Sequence, residues 1–224
     1  MSHSVLLDIE TYAIDTVADF IEEPTAPANY KNPDTIAAYV TEARRKAITK
    51  AALKPDLGRI VAIAWMQEGR DFEPRVMLCK NEHEEKLALV TFWDDLAEGD
   101  HHKRTITYNG HRFDLPFVMR RSLALGVQFP RLRVDRGSPH LDLYRVLSFD
   151  DAIDGYSLQF YLKRYGLDAG VKDDMDGSDI ARLVEAGAWD QIANHCVCDV
   201  KRLWALAEWL GAVDAPRTEV EQAF

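Results

Sequence analysis

Apolar positions along this chain fall into two kinds of run, continuous stretches and stretches that recur with the helical period. Val5-Leu6-Leu7 is continuous and ends in carboxylates at Asp8 and Glu10, which reads as a buried strand over Ser4–Asp8 delivering acids to an edge of the core. Arg59–Gln67 and Pro74–Lys80 read as the next strands, joined by the turn-prone Glu68-Gly69-Arg70-Asp71, and the three together predict an antiparallel meander. Arg104–Asn109 predicts a fourth strand that Asn109-Gly110 breaks, and His140–Leu143 a short fifth. Helical spacing appears from Asp34 to about Leu53, where Ile36, Tyr39, Val40, Ala43, Ala47 and Ala51 recur while Arg44, Arg45, Lys46 and Lys50 crowd the polar side. Further helices are predicted at Glu82–Leu96, at about Leu115–Leu125, and near Ser157–Tyr165, Gly177–Ala186 and Trp189–Leu210. The stretch from about 14 to 57 is less apolar, carries Pro24, Pro27 and Pro33, and reads as an insertion packed on the domain. Three strands, helix, strand, helix, strand and then helices predict an α/β fold with a mixed sheet flanked by helices, not a doubly wound parallel sheet.

Composition narrows the picture. A chain of 224 residues suits one domain with an insertion, and 47% apolar with 29% charged residues excludes wholesale disorder. No apolar run approaches the roughly 18 residues of a membrane span, and the start MSHSVLLDIE shows no basic leader, so the expectation is a cytoplasmic protein with no membrane partner. Cys79, Cys196 and Cys198 form no disulfide framework and are expected to be reduced, buried thiols. The net charge of −10 disfavours non-specific coating of a polyanion, so any nucleic-acid contact must come from a local basic patch or from bound cations. One such patch exists: Lys103–Arg136 holds eight Lys and Arg (Lys103, Arg104, Arg112, Arg120, Arg121, Arg131, Arg133, Arg136) against Asp114 and Asp135.

Three local patterns carry chemistry. Asp8-Ile9-Glu10 places two carboxylates on one side of a strand, where a divalent cation could bind between them; a solvated strand end has the same sequence. In Tyr108-Asn109-Gly110-His111-Arg112-Phe113-Asp114-Leu115-Pro116 the glycine permits a tight turn, Pro116 suits a first helical turn, and Asp114 falls at the helix start, as a site residue or as a cap. In His195-Cys196-Val197-Cys198-Asp199 the histidine and the aspartate are four apart on one helix face, as in many surface pairs. A zinc set of His195, Cys196 and Cys198 is disfavoured, because i, i+1 and i+3 on one helix do not converge.

In order and local sequence, LLDIET at 6–11, YNGHRFDLP at 108–116 and HCVCD at 195–199 resemble the three exonuclease motifs of the DEDD (DnaQ-like) 3′–5′ exonuclease superfamily. The segments APANYKNPDTIAAY and KAALKPDLGRIVAIAW further resemble phage and bacterial relatives of the family-B DNA polymerase exonuclease domain. The resemblance implies a ribonuclease H-like fold with a mixed five-stranded sheet, and a single proofreading-type domain over 1–224. It implies that Asp8, Glu10, Asp114 and Asp199 are catalytic carboxylates holding two Mg²⁺ or Mn²⁺ ions. Such ions, about 3.5–4 Å apart, stabilise the attacking and leaving oxygens of a phosphodiester displacement. Members carry a tyrosine four residues before the last aspartate or a histidine five before it, whereas this chain has Asn194 at minus five and His195 at minus four. At about 100° per residue, minus four lies roughly 40° from Asp199 around the helix and minus five roughly 140° away. His195 is therefore the candidate for orienting or deprotonating the nucleophilic water.

Substrate contacts are expected from Phe113, which resembles the family's aromatic at the terminal nucleotide, from Tyr12, and from Asn109, Arg120 and Arg121, although each aromatic also suits an ordinary core. The expected substrate is the 3′ end of single-stranded DNA, released as nucleoside 5′-monophosphates, with a DNA polymerase or replication protein as partner. The alternatives are a 3′–5′ exoribonuclease and a non-catalytic nucleic-acid-binding or polymerase-associated pseudonuclease.

Overall fold

A computed structural model describes residues 4–69, 73–97, 103–130, 139–167, 169–173 and 175–214. The strands β1 (Ser4–Ala13), β2 (Gly58–Gln67), β3 (Arg75–Leu78), β4 (Arg104–Thr107) and β5 (His140–Asp142) form one sheet in the order β3-β2-β1-β4-β5. β1 pairs antiparallel with β2 and β2 antiparallel with β3, whereas β4 lies parallel to β1 and β5 parallel to β4. The mixed five-stranded sheet and the opening meander are those the sequence predicts. Seven helices are described: α1 (Pro33–Ala52), α2 (Glu82–Ala97), α3 (Asp114–Ala124), α4 (Leu143–Leu147), α5 (Leu158–Tyr165), α6 (Ile180–Glu185) and α7 (Trp189–Trp209).

Alternation along β1 divides its side chains between two cores. Val5, Leu7 and Ile9 join Ile60, Ile63 and Trp65 against residues of α2 and α3, while Leu6 joins Ala62, Ala64 and Met66 against α5, α6 and α7. Asp8 and Glu10 share the parity of Leu6 and so face α7. The short Ala62 and Ala64 let that helix settle close to the sheet, and Cys196 Sγ comes within 3.6 Å of the Asp8 carbonyl oxygen.

Local departures from the expected elements have local causes. β1 does not end at Asp8 but runs on to Ala13, because β2 offers it a ladder along its whole length. The two carboxylates therefore sit in mid-strand and not at a strand end. Glu10 opposes Ala62 and Thr11 opposes Ile60, leaving Val61 as an extra residue, and this bulge bends the ladder next to Glu10. α1 is close to its predicted span: Pro33 occupies its first turn, and the Asn32 side chain accepts from the Asp34 N–H at 2.8 Å. Only Ala51 and Ala52 of α1 are buried, and its last turns pack on Ala13 and Val17. α4 is too short to show a period; its cap is Asp142, which accepts from the Tyr144 N–H at 3.0 Å. The helix expected from Gly177 opens as a 3₁₀ turn, Gly177–Asp179, and becomes α-helical only at Ile180. All three cysteines are free and buried, as expected. No described helix is long and apolar enough to cross a membrane.

Candidate active site

Asp8 and Glu10 project from the middle of β1 toward α7, whose buried stripe places Cys196, His195 and Asp199 opposite them. Cys196 Sγ lies 3.7 Å from Asp8 Oδ2. His195 Nε2 stands 3.5 Å from Glu10 Oε1 and 3.8 Å from Asp199 Oδ2, with Glu10 7% and His195 2% exposed. Asn194, one residue earlier, is exposed, so the helix register puts His195 and not Asn194 beside the acids.

Asp114 reaches the same place from α3. The chain leaves β4 at Thr107, and Asn109 adopts the left-handed φ of 61° that the turn needs. Gly110 serves for space: a Cβ there would meet Thr107 Oγ1 at 2.2 Å, and its own N–H donates to that oxygen at 3.1 Å. The Asp142 carboxylate accepts from the N–H groups of Asn109 and His111 at 2.7 and 3.0 Å, which pins the loop. Asp114 is then the first residue of α3, 4% exposed, with the Ile9 N–H of β1 donating to its carboxyl. A helix cap is not its role; Phe113 holds the cap position and contributes no side-chain bond there.

The electrostatics follow from this crowding. Burial, and after it the charges of Glu10, Asp114 and Asp199, push the Asp8 carboxyl well above the usual carboxylate range. Glu10 is raised in the same way, by burial and then by Asp199, Asp114, Asp173 and Asp176. Asp114 is raised to about 7, by burial first and by Asp142, although the Ile9 N–H pulls it back. The ligand atoms of Asp8, Glu10 and Cys196, and separately those of Glu10, His195 and Asp199, lie within 4.8 Å of one another. This donor set fits a hard divalent cation: it is dominated by carboxylate oxygens, and a bound cation would relieve their mutual repulsion. His195, Cys196 and Cys198 do not form a joint group among the described residues.

Of the expected substrate contacts, Tyr12 and Phe113 come together. Both line a cavity of about 250 Å³ that opens beside Glu10 and is closed by Ile48, Thr49 and Ala52 of α1 and by Ser178 and Ala181. Tyr12 Oη donates to Glu185 Oε1 at 3.3 Å, which leaves its ring along the wall. The arginines differ from expectation. Arg121 is 5% exposed and forms a two-pronged pair with the fully buried Glu85, at 2.7 and 2.8 Å, so it is a core ion pair and not a phosphate contact. Arg120 is exposed but bound to both oxygens of Asp56 at 2.6 and 2.7 Å. Arg112 pairs with Asp151 at 2.8 Å, Arg104 donates to Ser4 Oγ and to the Ala212 carbonyl, and Lys103 to the Asp95 carbonyl. Arg131, Arg133 and Arg136 lie outside the described residues.

Three residues of the site carried no sequence expectation. Asp173 Oδ2 lies 2.5 Å from His195 Nδ1, and Arg202 reaches Asp199 Oδ1 at 2.6 Å and Asp173 Oδ2 at 3.4 Å. Arg202 follows Asp199 by one helical turn on a buried face, a spacing that could have signalled it. Asp173 belongs to a loop 22 residues from its partner and has no such signal. Asp142, at the end of β5, is readable only as an acid before a helix.

A family described as predicted 3′–5′ exonucleases related to the exonuclease domain of PolB matches residues 51–210, a span that holds Asp114, His195 and Asp199. No curated protein matches the sequence. Among solved structures, the family B DNA polymerase of the hyperthermophilic archaeon Pyrobaculum calidifontis superposes with a TM-score of 0.62 at 18% identity, covering 94% of this chain and 24% of the polymerase. Exonuclease I superposes with a TM-score of 0.50 at 13% identity, covering 96% of this chain and 42% of that enzyme. The chain thus spans about a quarter of the one and under half of the other, and at these identities the likeness is one of fold. With the family model matching residues 51–210, well over half of its length, this chain belongs to the predicted 3′–5′ exonucleases related to the exonuclease domain of PolB.

Proposed function

We propose that the protein is a metal-dependent 3′–5′ exonuclease that shortens single-stranded DNA from its 3′ end and releases nucleoside 5′-monophosphates. The observation that carries this reading is the meeting of Asp8, Glu10, Asp114 and Asp199, from β1, α3 and α7, at one buried spot where the first three are held above the usual carboxylate range. These four would hold two Mg²⁺ or Mn²⁺ ions, which when bound supply charge stabilisation to the attacking and leaving oxygens. His195 Nε2 accepts the proton of the water whose oxygen attacks phosphorus; the bond from phosphorus to the 3′ oxygen breaks, and that oxygen leaves with a proton from solvent. Tyr12 and Phe113 hold the terminal nucleotide against the cavity wall by stacking, which tolerates any base. Asn109, in the loop before Asp114, and the exposed Arg120, exchanging Asp56 for phosphate, steady the backbone. The catalytic unit is one domain in which the segment 14–57 is an insertion, and it works in the cytoplasm beside a DNA polymerase or replication protein.

The test uses 5′-labelled single-stranded DNA and RNA of matched sequence with Mg²⁺, Mn²⁺ or EDTA. A ladder of shortened DNA, with mononucleotide 5′-monophosphate released and EDTA abolishing both, is the expected result. Preferential shortening of RNA would redirect the reading to an exoribonuclease. Binding without shortening in either metal would make the protein a pseudonuclease.

A further inference from the structure

The exonuclease reading gives His195 a proton to accept, but an imidazole can do so only at a nitrogen that carries no hydrogen and faces the reacting atoms. Two carboxyl groups, Glu10 at 3.5 Å and Asp199 at 3.8 Å, face His195 Nε2, both at or beyond the reach of a hydrogen bond. A hydrogen fixed on that nitrogen would leave the ring no base there. On the other edge of the ring a third carboxylate opposes them: Asp173 Oδ2 lies 2.5 Å from Nδ1, closer than either rival, and its side chain is 4% exposed. A hydrogen bond to a carboxylate at that distance calls for a hydrogen on Nδ1, which leaves Nε2 as the ring nitrogen that faces the acidic cluster. Asp173 is itself held. The Arg202 guanidinium, 8% exposed, reaches Asp173 Oδ2 at 3.4 Å and Asp199 Oδ1 at 2.6 Å, and its second terminal nitrogen donates to the Asp173 carbonyl oxygen.

We infer that Asp173 is a positioning residue of the active site, fixing the tautomer and rotamer of His195, and that Arg202 ties it to Asp199 so that the base and one cluster carboxylate keep a common frame. The catalytic consequence rests on the exonuclease reading; the pairing does not. The Met175 N–H donates to the other carboxylate oxygen, Oδ1, at 3.2 Å, so both oxygens of Asp173 are held where Oδ2 faces the ring. For histidines that ligate a metal, removing a partner of this kind costs about 10–100-fold, and the same scale is expected for a histidine that must present one nitrogen to a water.

The experiment combines a spectroscopic and a kinetic readout. In protein labelled with ¹⁵N-histidine, the His195 ring, assigned by its disappearance in His195→Gln, should show hydrogen on Nδ1 in wild type, and lose it in the near-isosteric Asp173→Asn. In single-turnover cleavage of single-stranded DNA, Asp173→Asn should lower the rate about 10–100-fold with KM within about twofold. In a His195→Ala background it should cost at most about twofold further, because Arg202 keeps its own bond to Asp199 and the rest of the effect passes through the ring. Hydrogen on Nε2 and none on Nδ1 in the wild-type protein overturns the inference even if every Asp173 variant fails to fold. Losses that multiply in the double variant overturn it as well, since Asp173 would then act independently of His195. Absence of cleavage by the wild type with either metal would instead sink the exonuclease reading, and the wild-type tautomer would still decide the pairing.

Discussion

Asp114 shows what a single side chain pays for its place in the cluster. Its carboxyl, ordinarily near 3.8, is raised to about 7 in the fold. A carboxyl whose folded value lies above its unfolded one adds stability below the unfolded value and loses it as pH rises through the folded one. In metal-free protein this group therefore favours the fold below about pH 4 and works against it above about pH 7, and Asp8 and Glu10 act in the same direction. Melting temperatures in EDTA should fall between pH 5 and pH 8, Asp114→Asn should melt higher than wild type at pH 8, and Mg²⁺ should raise the wild-type melting temperature more at pH 8 than at pH 5. A higher melting temperature of the wild type at pH 8 than of Asp114→Asn, both in EDTA, would contradict the cluster's electrostatics. The four carboxylates were legible through the resemblance that the three motifs carry, and His195 through the helix register that puts it on the face of Asp199. Asp173 was not, since a loop residue carries no period.

At the scale of elements, two adjacent arginines of α3 have opposite fates. Arg121 points into the space between α2 and α3, where Glu85 also accepts from the Ile60 N–H of β2, so one buried carboxylate joins two helices and the sheet. Arg121→Met strands that charge and should destabilise the protein by about 3–5 kcal/mol in denaturant unfolding. Arg120→Ala, which frees an exposed pair, should leave the unfolding midpoint unchanged. Equal effects would show that the Glu85 pair is not a buried strut. Net charge along a segment marks where cations are in the sequence but not which face of a helix they take, which is why a basic run read as a phosphate track contains a core ion pair. The extra length of β1 was hidden for a related reason: Glu10-Thr11-Tyr12 looks like the end of an apolar run, and only pairing with β2 keeps it in the sheet.

For the molecule as a whole, the mixed sheet with its opening meander, the helices on its faces and the convergence of three distant motifs follow from the pattern of apolar runs and from the resemblance those motifs carry. What the sequence did not show is that α1, expected to pack against the domain, closes the cavity beside Glu10. Thr49→Trp should fill that cavity and raise KM for single-stranded DNA about tenfold, the loss of one base-stacking contact of ~1–3 kcal/mol, with kcat and melting temperature close to wild type. An unchanged KM would place the terminal nucleotide elsewhere.

The central claim is that carboxylates from β1, α3 and α7 act as one cation-dependent centre of hydrolysis at a 3′ end. The most direct measurement is the single-turnover release of 5′-mononucleotide from the 3′ end of a 5′-labelled oligodeoxynucleotide in Mn²⁺, by wild type and by Asp114→Asn. The account predicts stepwise shortening by the wild type and a loss of at least about a thousandfold in the variant, roughly 4 kcal/mol of transition-state stabilisation, from a protein that still folds. Equal rates for the two proteins would contradict it.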